Sequence, residues 1–133
     1  MRKRVLFCLV ALLLGAVLCS CSGLNADRLG EKIEGKDYRA ISAEEAHDIL
    51  DEDGVILADV REEDEYASGH IEGSINLPLS VLLDEMDEKL PNKDAIIILY
   101  CGSGQRSAKA AGMLARKGYN HVFDMGGMDN WTF

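Results

Sequence analysis

The chain has 133 residues, enough for one domain and short flanking segments. Its 23 acidic residues outnumber 14 basic ones, for a formal net charge of −9, and such a surface repels nucleic acid and anionic lipid headgroups. Hydrophobic residues make up 47%, but the first twenty positions inflate that share, so the rest is more polar than the total indicates.

Met1-Arg2-Lys3-Arg4 is followed by Val5 to Leu18 without a charge, ending in Leu18-Cys19-Ser20-Cys21. A basic start, an apolar stretch and small residues at its end describe a secretory signal. As a helix, those 14 apolar residues would span about 21 Å, short of the roughly 30 Å hydrocarbon core, which argues against a permanent span. The end of the stretch resembles the bacterial lipobox: an aliphatic residue, two small residues and a cysteine, with Cys19 an uncommon occupant of its place. That resemblance implies cleavage after Ser20, lipid on Cys21, and a protein anchored at the cell membrane or envelope, facing outside the cytoplasm. Diacylglycerol brings two acyl chains, the number that gives stable anchoring. The alternative is ordinary secretion with Cys21 unmodified.

Cleavage would remove Cys8 and Cys19, leaving Cys101 as the lone thiol with no disulfide partner. It would also remove Arg2, Lys3 and Arg4, leaving 11 basic against 23 acidic residues and a net charge of −12. Membrane attachment is then expected through the lipid alone. Ser22 to Asp37 is polar and punctuated by glycine, and reads as a tether. The expected organisation is a signal over 1–20, a lipidated tether over 21–37 and a globular domain over 38–133.

From Tyr38 the pattern is that of a compact α/β domain. Ser42-Ala43-Glu44-Glu45 has capping-box spacing and predicts a helix running to about Glu52. Val55 to Val60 is a short apolar run predicting a buried strand, and Glu62 to Ala67 predicts one or two acidic helical turns. Ser80 is expected to cap a second helix that reaches Leu90 and stops at Pro91. Ala95 to Tyr100 (AIIILY) is apolar throughout, as in a parallel strand buried on both faces. A helix is predicted from Ser107 to Lys117, ended by Gly118, and a last short strand at Val122-Phe123. Strands alternating with helices predict a parallel sheet flanked by helices on both faces.

Chemistry concentrates between the strongest strand and the helix after it. Cys101 stands at the carboxyl end of the strand, where open α/β sheets place their sites. Gly102 and Gly104 allow successive N–H groups to converge on an anion, and the helix directs its positive end back at the turn. Ser103 and Gln105 complete the loop, and Arg106 is expected to add a positive charge and a fork of donors. Together these favour thiolate over thiol, and the thiolate is the nucleophile. Asp59 and Arg61 follow a strand; they either support the loop or cap the next turn and pair on the surface, the second being the expected role. His47 and His121 are expected to be exposed without partners. Trp131 is expected to pack the C-terminal segment onto the domain.

Cys101-Gly102-Ser103-Gly104-Gln105-Arg106-Ser107 resembles the loop of the rhodanese family, Cys-x-x-Gly-x-Arg-Ser. Asp59-Val60-Arg61 with Glu65-Tyr66, then Gly69-His70-Ile71-Glu72-Gly73-Ser74-Ile75-Asn76-Leu77-Pro78, is similar to the family's upstream signature, a resemblance that implies a structural, hydrogen-bonded His70 rather than a general base. Gly126-Gly127-Met128 with Trp131 is similar to its C-terminal one. The resemblance implies the rhodanese fold and a sulfurtransferase in which Cys101 takes the outer sulfur of a donor as a persulfide. A thiol or cyanide then removes it, with no metal or organic cofactor. Rhodanese-fold phosphatases and arsenate reductases place five residues between cysteine and arginine; here there are four, Gly102 to Gln105, a smaller ring suited to sulfur. Thiosulfate-using members often carry a basic residue inside the loop, and this one has none. Thiosulfate, a dianion, is therefore expected to be a poor donor, and a protein or small-molecule persulfide is the other possibility. A non-catalytic binding module of the same fold is the alternative function from another class.

Overall fold

A computed structural model describes residues 24–133, so the expected signal and Cys21 lie outside the described residues. A six-stranded sheet organises the chain. Its strands are β1 (Glu31–Lys32), β2 (Arg39–Ala40), β3 (Val55–Asp59), β4 (Ile75–Asn76), β5 (Ile96–Cys101) and β6 (His121–Gly127). They lie in the order β1-β2-β6-β5-β3-β4, and all neighbours are parallel except the edge pair β1 and β2. The helices are α1 (Ala43–Ile49), α2 (Glu63–Ser68), α3 (Leu82–Lys89) and α4 (Gln105–Arg116).

Every residue of β5 is buried, as its continuous apolar run requires of a central parallel strand. Its side chains alternate between two cores. Ile97, Leu99 and Cys101 face one cluster with Ala110, Ala111 and Leu114 of α4 and Leu82 and Met86 of α3. Ile96, Ile98 and Tyr100 face the other, with Ala43, Ala46 and Ile49 of α1. Helices therefore cover both faces, and the period of two in the strand decides which face each residue serves.

The tether expected over 21–37 is corrected from Leu24 onward. Leu29 is buried, and Glu31–Lys32 pairs antiparallel with Arg39–Ala40. The Gly30 N–H donates to Glu45 Oε1 at 2.8 Å, and the Arg39 guanidinium donates to the carbonyls of Asp27 and Gly30. Few apolar residues are needed here because main-chain hydrogen bonds hold the segment to the sheet edge. That use of Glu45 also alters the expected capping box. Ser42 Oγ accepts from the Glu45 N–H at 3.1 Å, but the Glu45 carboxylate serves Gly30 instead of the cap.

Other boundaries move for local reasons. The first helix ends at Ile49, three residues short of Glu52. Ser80 is not a cap: it lies in a 3-10 turn, Leu79–Val81, and its hydroxyl donates to Glu62 Oε2 at 2.9 Å. The last strand is longer than Val122-Phe123 because it pairs with the whole of β5, with a bulge opposite Leu99 and Tyr100. One extra residue there, Met125, brings Gly127 level with Cys101.

Candidate active site

Cys101 closes β5, and α4 begins four residues later at Gln105, two residues earlier than expected. The early start places Ser107 in the third helical position, among the first N–H groups that have no partner inside a helix. Gly104 is the N-cap, in the left-handed region at φ 91°, and has no side chain to accept from those donors. The sulfur takes that place. Cys101 Sγ accepts from the Gly104 N–H at 3.0 Å and from the Ser107 N–H at 3.4 Å, with Ser107 Oγ 3.6 Å away. A thiolate there sits at the positive end of a 12-residue helix.

Burial of Cys101 works against charge on sulfur. Against it act the Ser107 hydroxyl and the N–H groups of Ser107, Gly104 and Arg106, and the net result is a thiol held below its ordinary value. Ser107→Ala removes the largest of the opposing contributions. The midpoint of Cys101 alkylation against pH is expected to move upward in that variant, with alkylation near neutral pH slowed about tenfold, the scale of one hydrogen bond to a charged group. An unmoved midpoint would remove Ser107 from this role.

Gly127 explains how the third signature reaches the loop. A methyl group placed on it would lie 2.6 Å from the Gly102 carbonyl oxygen, so only glycine lets β6 approach the turn this closely. Gly102 and Gly104 are half-buried, whereas Ser103 and Gln105 are exposed.

The expected role of the Arg106 side chain is corrected. Its fork is taken up by a carboxylate: Nη1 and Nη2 donate to Glu65 Oε2 and Oε1 at 2.6 and 2.9 Å. The Arg106 backbone N–H also favours the thiolate, and its guanidinium and Cys101 act on each other through charge. Glu65 is thus the site residue that sequence reasoning passed over, quoted only as part of a motif. Hydrogen bonding from Arg106, then from the Glu62 N–H, holds its carboxyl down at about 2. Stability from this pair is present above the ordinary carboxyl value of 4.5 and fades as pH falls toward about 2.

Asp59 and Arg61 do pair, but not on the surface. Asp59 is fully buried and Arg61 is 8% exposed, and Arg61 Nη2 lies 2.7 Å from Asp59 Oδ2. Asp59 is level with Tyr100 in the sheet and shares its face, opposite to Cys101, so the pair does not touch the sulfur. Arg61 Nη2 also donates to the Gly69 carbonyl at 2.7 Å, fixing the end of α2, the helix that carries Glu65. Tyr100, on the same face, accepts from the Ile71 N–H and bonds Ser74 Oγ, each at 3.0 Å. Burial pushes its hydroxyl up to about 12.

His70 is structural: Nδ1 is 2.8 Å from the Tyr66 carbonyl, and the ring stacks on Tyr66 with centroids 3.7 Å apart. His47 does have a partner, stacking on Phe133 at 4.1 Å, and Trp131 packs against the second core as expected. His121 is half-buried. A cavity of about 850 Å³ between α1, Ile71 and Trp131 includes no residue of the Cys101 loop.

Comparison with known proteins agrees with this geometry. A model of the rhodanese-like domain matches residues 42–133. The chain belongs to the rhodanese-like domain family. Among curated relatives of this rhodanese-like chain is a thiosulfate sulfurtransferase, PspE, of Escherichia coli, 34% identical over 70 residues, covering 53% of this chain and 67% of the relative. Another is the thiosulfate sulfurtransferase GlpE of Coxiella burnetii, 32% identical over 95 residues, covering 71% and 87%. Among solved structures, a rhodanese-related protein from Thermoplasma volcanium is 34% identical with a TM-score of 0.61, covering 71% of this chain and 90% of that one. A human single-domain sulfurtransferase is 26% identical with the same TM-score, 0.61, covering 69% and 93%.

Proposed function

We propose that the chain is a sulfurtransferase that carries sulfane sulfur on Cys101. The observation that carries this reading is the sulfur-directed loop: two backbone N–H groups on Sγ, at 3.0 and 3.4 Å, at the positive end of α4. In the first step the Cys101 thiolate attacks the outer sulfur of a donor. A new S–S bond forms as the donor's S–S bond breaks, and the donor's remaining sulfur leaves with the bonding pair. In the second step an acceptor thiolate, or cyanide, attacks the terminal sulfur and restores Cys101. The N–H groups of Gly104 and Ser107 steady negative charge on Cys101 Sγ as it attacks and as it is released, without reorganising water. Relatives named as sulfurtransferases support the reading, as does the four-residue spacing between Cys101 and Arg106.

The test is intact-mass measurement of the full-length protein after exposure to thiosulfate or an organic persulfide, then to cyanide. Gain of one sulfur atom, localised to Cys101 and lost to cyanide as thiocyanate, is expected with at least one donor. A protein that gains no sulfur from any donor is not a sulfurtransferase, and the binding-module reading takes its place.

The same protein is proposed to work at the cell envelope, anchored by lipid on Cys21. Support comes from the apolar run Val5 to Leu18 and the sequence Leu18-Cys19-Ser20-Cys21. Mass spectrometry of protein from membranes should find a diacylglyceryl Cys21 at the new N-terminus. Recovery of the uncleaved chain from the cytosol would overturn this.

A further inference from the structure

The cation nearest the sulfur loop is not free. Arg106 Nη2 comes within 3.8 Å of where a side chain on Gly102 would begin, so the guanidinium lies at the rim of the loop. There it is held by both oxygens of Glu65, in the two-point geometry that suits a carboxylate best. Glu65 is itself braced, because its Oε2 also accepts from the Glu62 N–H at 3.0 Å. The second arginine of the region, Arg61, is consumed by the buried carboxylate of Asp59. Gly102, Ser103 and Gln105 carry no charge, and Lys109 lies on the exposed side of α4, a turn further along. A donor reaching the loop therefore meets a rim cation already paired with Glu65 and in the field of Glu62.

We infer that Glu65 is a specificity-determining positioning residue: by holding Arg106 it turns the loop against anionic sulfur donors and toward persulfides without net negative charge. The inference rests on the sulfurtransferase reading and adds the class of donor. Thiosulfate brings two negative charges to a thiolate and releases sulfite. An organic persulfide, RSSH, brings its outer sulfur at lower charge and releases the thiolate RS⁻. Both steps transfer one sulfane sulfur and conserve charge; they differ in leaving group and in the charge that approaches the thiolate, and Glu65 acts on the second. Like charges in a site lacking a free cation slow that approach.

The test measures the rate at which full-length protein gains sulfur on Cys101 from thiosulfate and from 2-aminoethyl hydropersulfide, a donor whose ammonium group leaves it without net negative charge, at equal concentration. The parent should load faster from the persulfide, and added salt should narrow the gap by screening the repulsion of thiosulfate. Glu65→Gln, which frees the fork of Arg106, should raise thiosulfate loading relative to the persulfide by at least about tenfold. Glu65→Asp, which keeps a carboxylate for Arg106, should retain the parent's ratio. A role confined to structure would slow both donors alike in Glu65→Gln and leave the ratio unmoved. That result, or a parent that prefers thiosulfate, overturns the inference while leaving the sulfurtransferase reading intact. No sulfur gained from either donor overturns both.

Discussion

A Cys101→Ser variant is expected to fold like the parent and to lose sulfur transfer by at least about 10³-fold, the scale on which loss of a catalytic nucleophile acts. The two halves of that expectation have different causes. Cys101 is buried with no exposed surface, and a new hydroxyl there would ordinarily be costly. Here it meets the N–H groups of Gly104 and Ser107, so the added polar atom has partners ready-made. A stability change within about 1 kcal/mol is expected. Chemistry suffers instead, because a serine hydroxyl keeps its proton near neutral pH and cannot hold a sulfane sulfur as a persulfide. Intact mass and thiocyanate formation read the second half, and urea unfolding reads the first. Residual turnover near the parent's would place the nucleophile elsewhere.

Asp59→Ala should destabilise the fold by about 3–5 kcal/mol, a large part of the ~5–15 kcal/mol that holds a domain together. Four hydrogen bonds converge on this carboxylate: the Arg61 N–H and Nε on Oδ1, and Nε and Nη2 on Oδ2, at 2.7 to 3.1 Å. Alanine would leave a guanidinium that is 8% exposed without its counter-charge. The effect should reach the site as well. Arg61 Nη2 ties down the Gly69 carbonyl, at the end of the helix whose Glu65 grips Arg106. Loss of stability measured by urea denaturation should therefore be accompanied by weaker discrimination between donors. A loss below about 1 kcal/mol would mean that water replaces Asp59 without difficulty, as at exposed pairs.

The features legible in the sequence are those whose cause is local. The strand at AIIILY, the glycine-rich turn after Cys101 and the small-residue helix beyond it are each specified by neighbours in the chain. A sulfur at a strand end followed by a helix start must face unpaired N–H groups, whatever the rest of the molecule does. Cys101, Gly104 and Ser107 could be named for that reason, as could the alternating order of strands and helices. The Ser42 cap was equally local, although its partner Glu45 was drawn away by Gly30.

What needed the third dimension was every contact whose partner lies far along the chain. Glu65 and Arg106 are 41 residues apart, and no periodicity links a carboxylate in an acidic run to an arginine in a loop. Before folding, that run looks like any solvated face, and Arg106 like a free cation. The depth of the Asp59 and Arg61 pair is likewise a property of the closed sheet, since adjacent charges read from a chain are ordinarily surface charges. The segment from Leu24 to Lys36 has too little apolar content to announce itself, and is held by hydrogen bonds that exist only once the sheet edge is in place. Local chemistry thus specifies the nucleophile and its cradle, whereas tertiary pairing decides the charge that surrounds them, because electrostatic partners are chosen by distance in space.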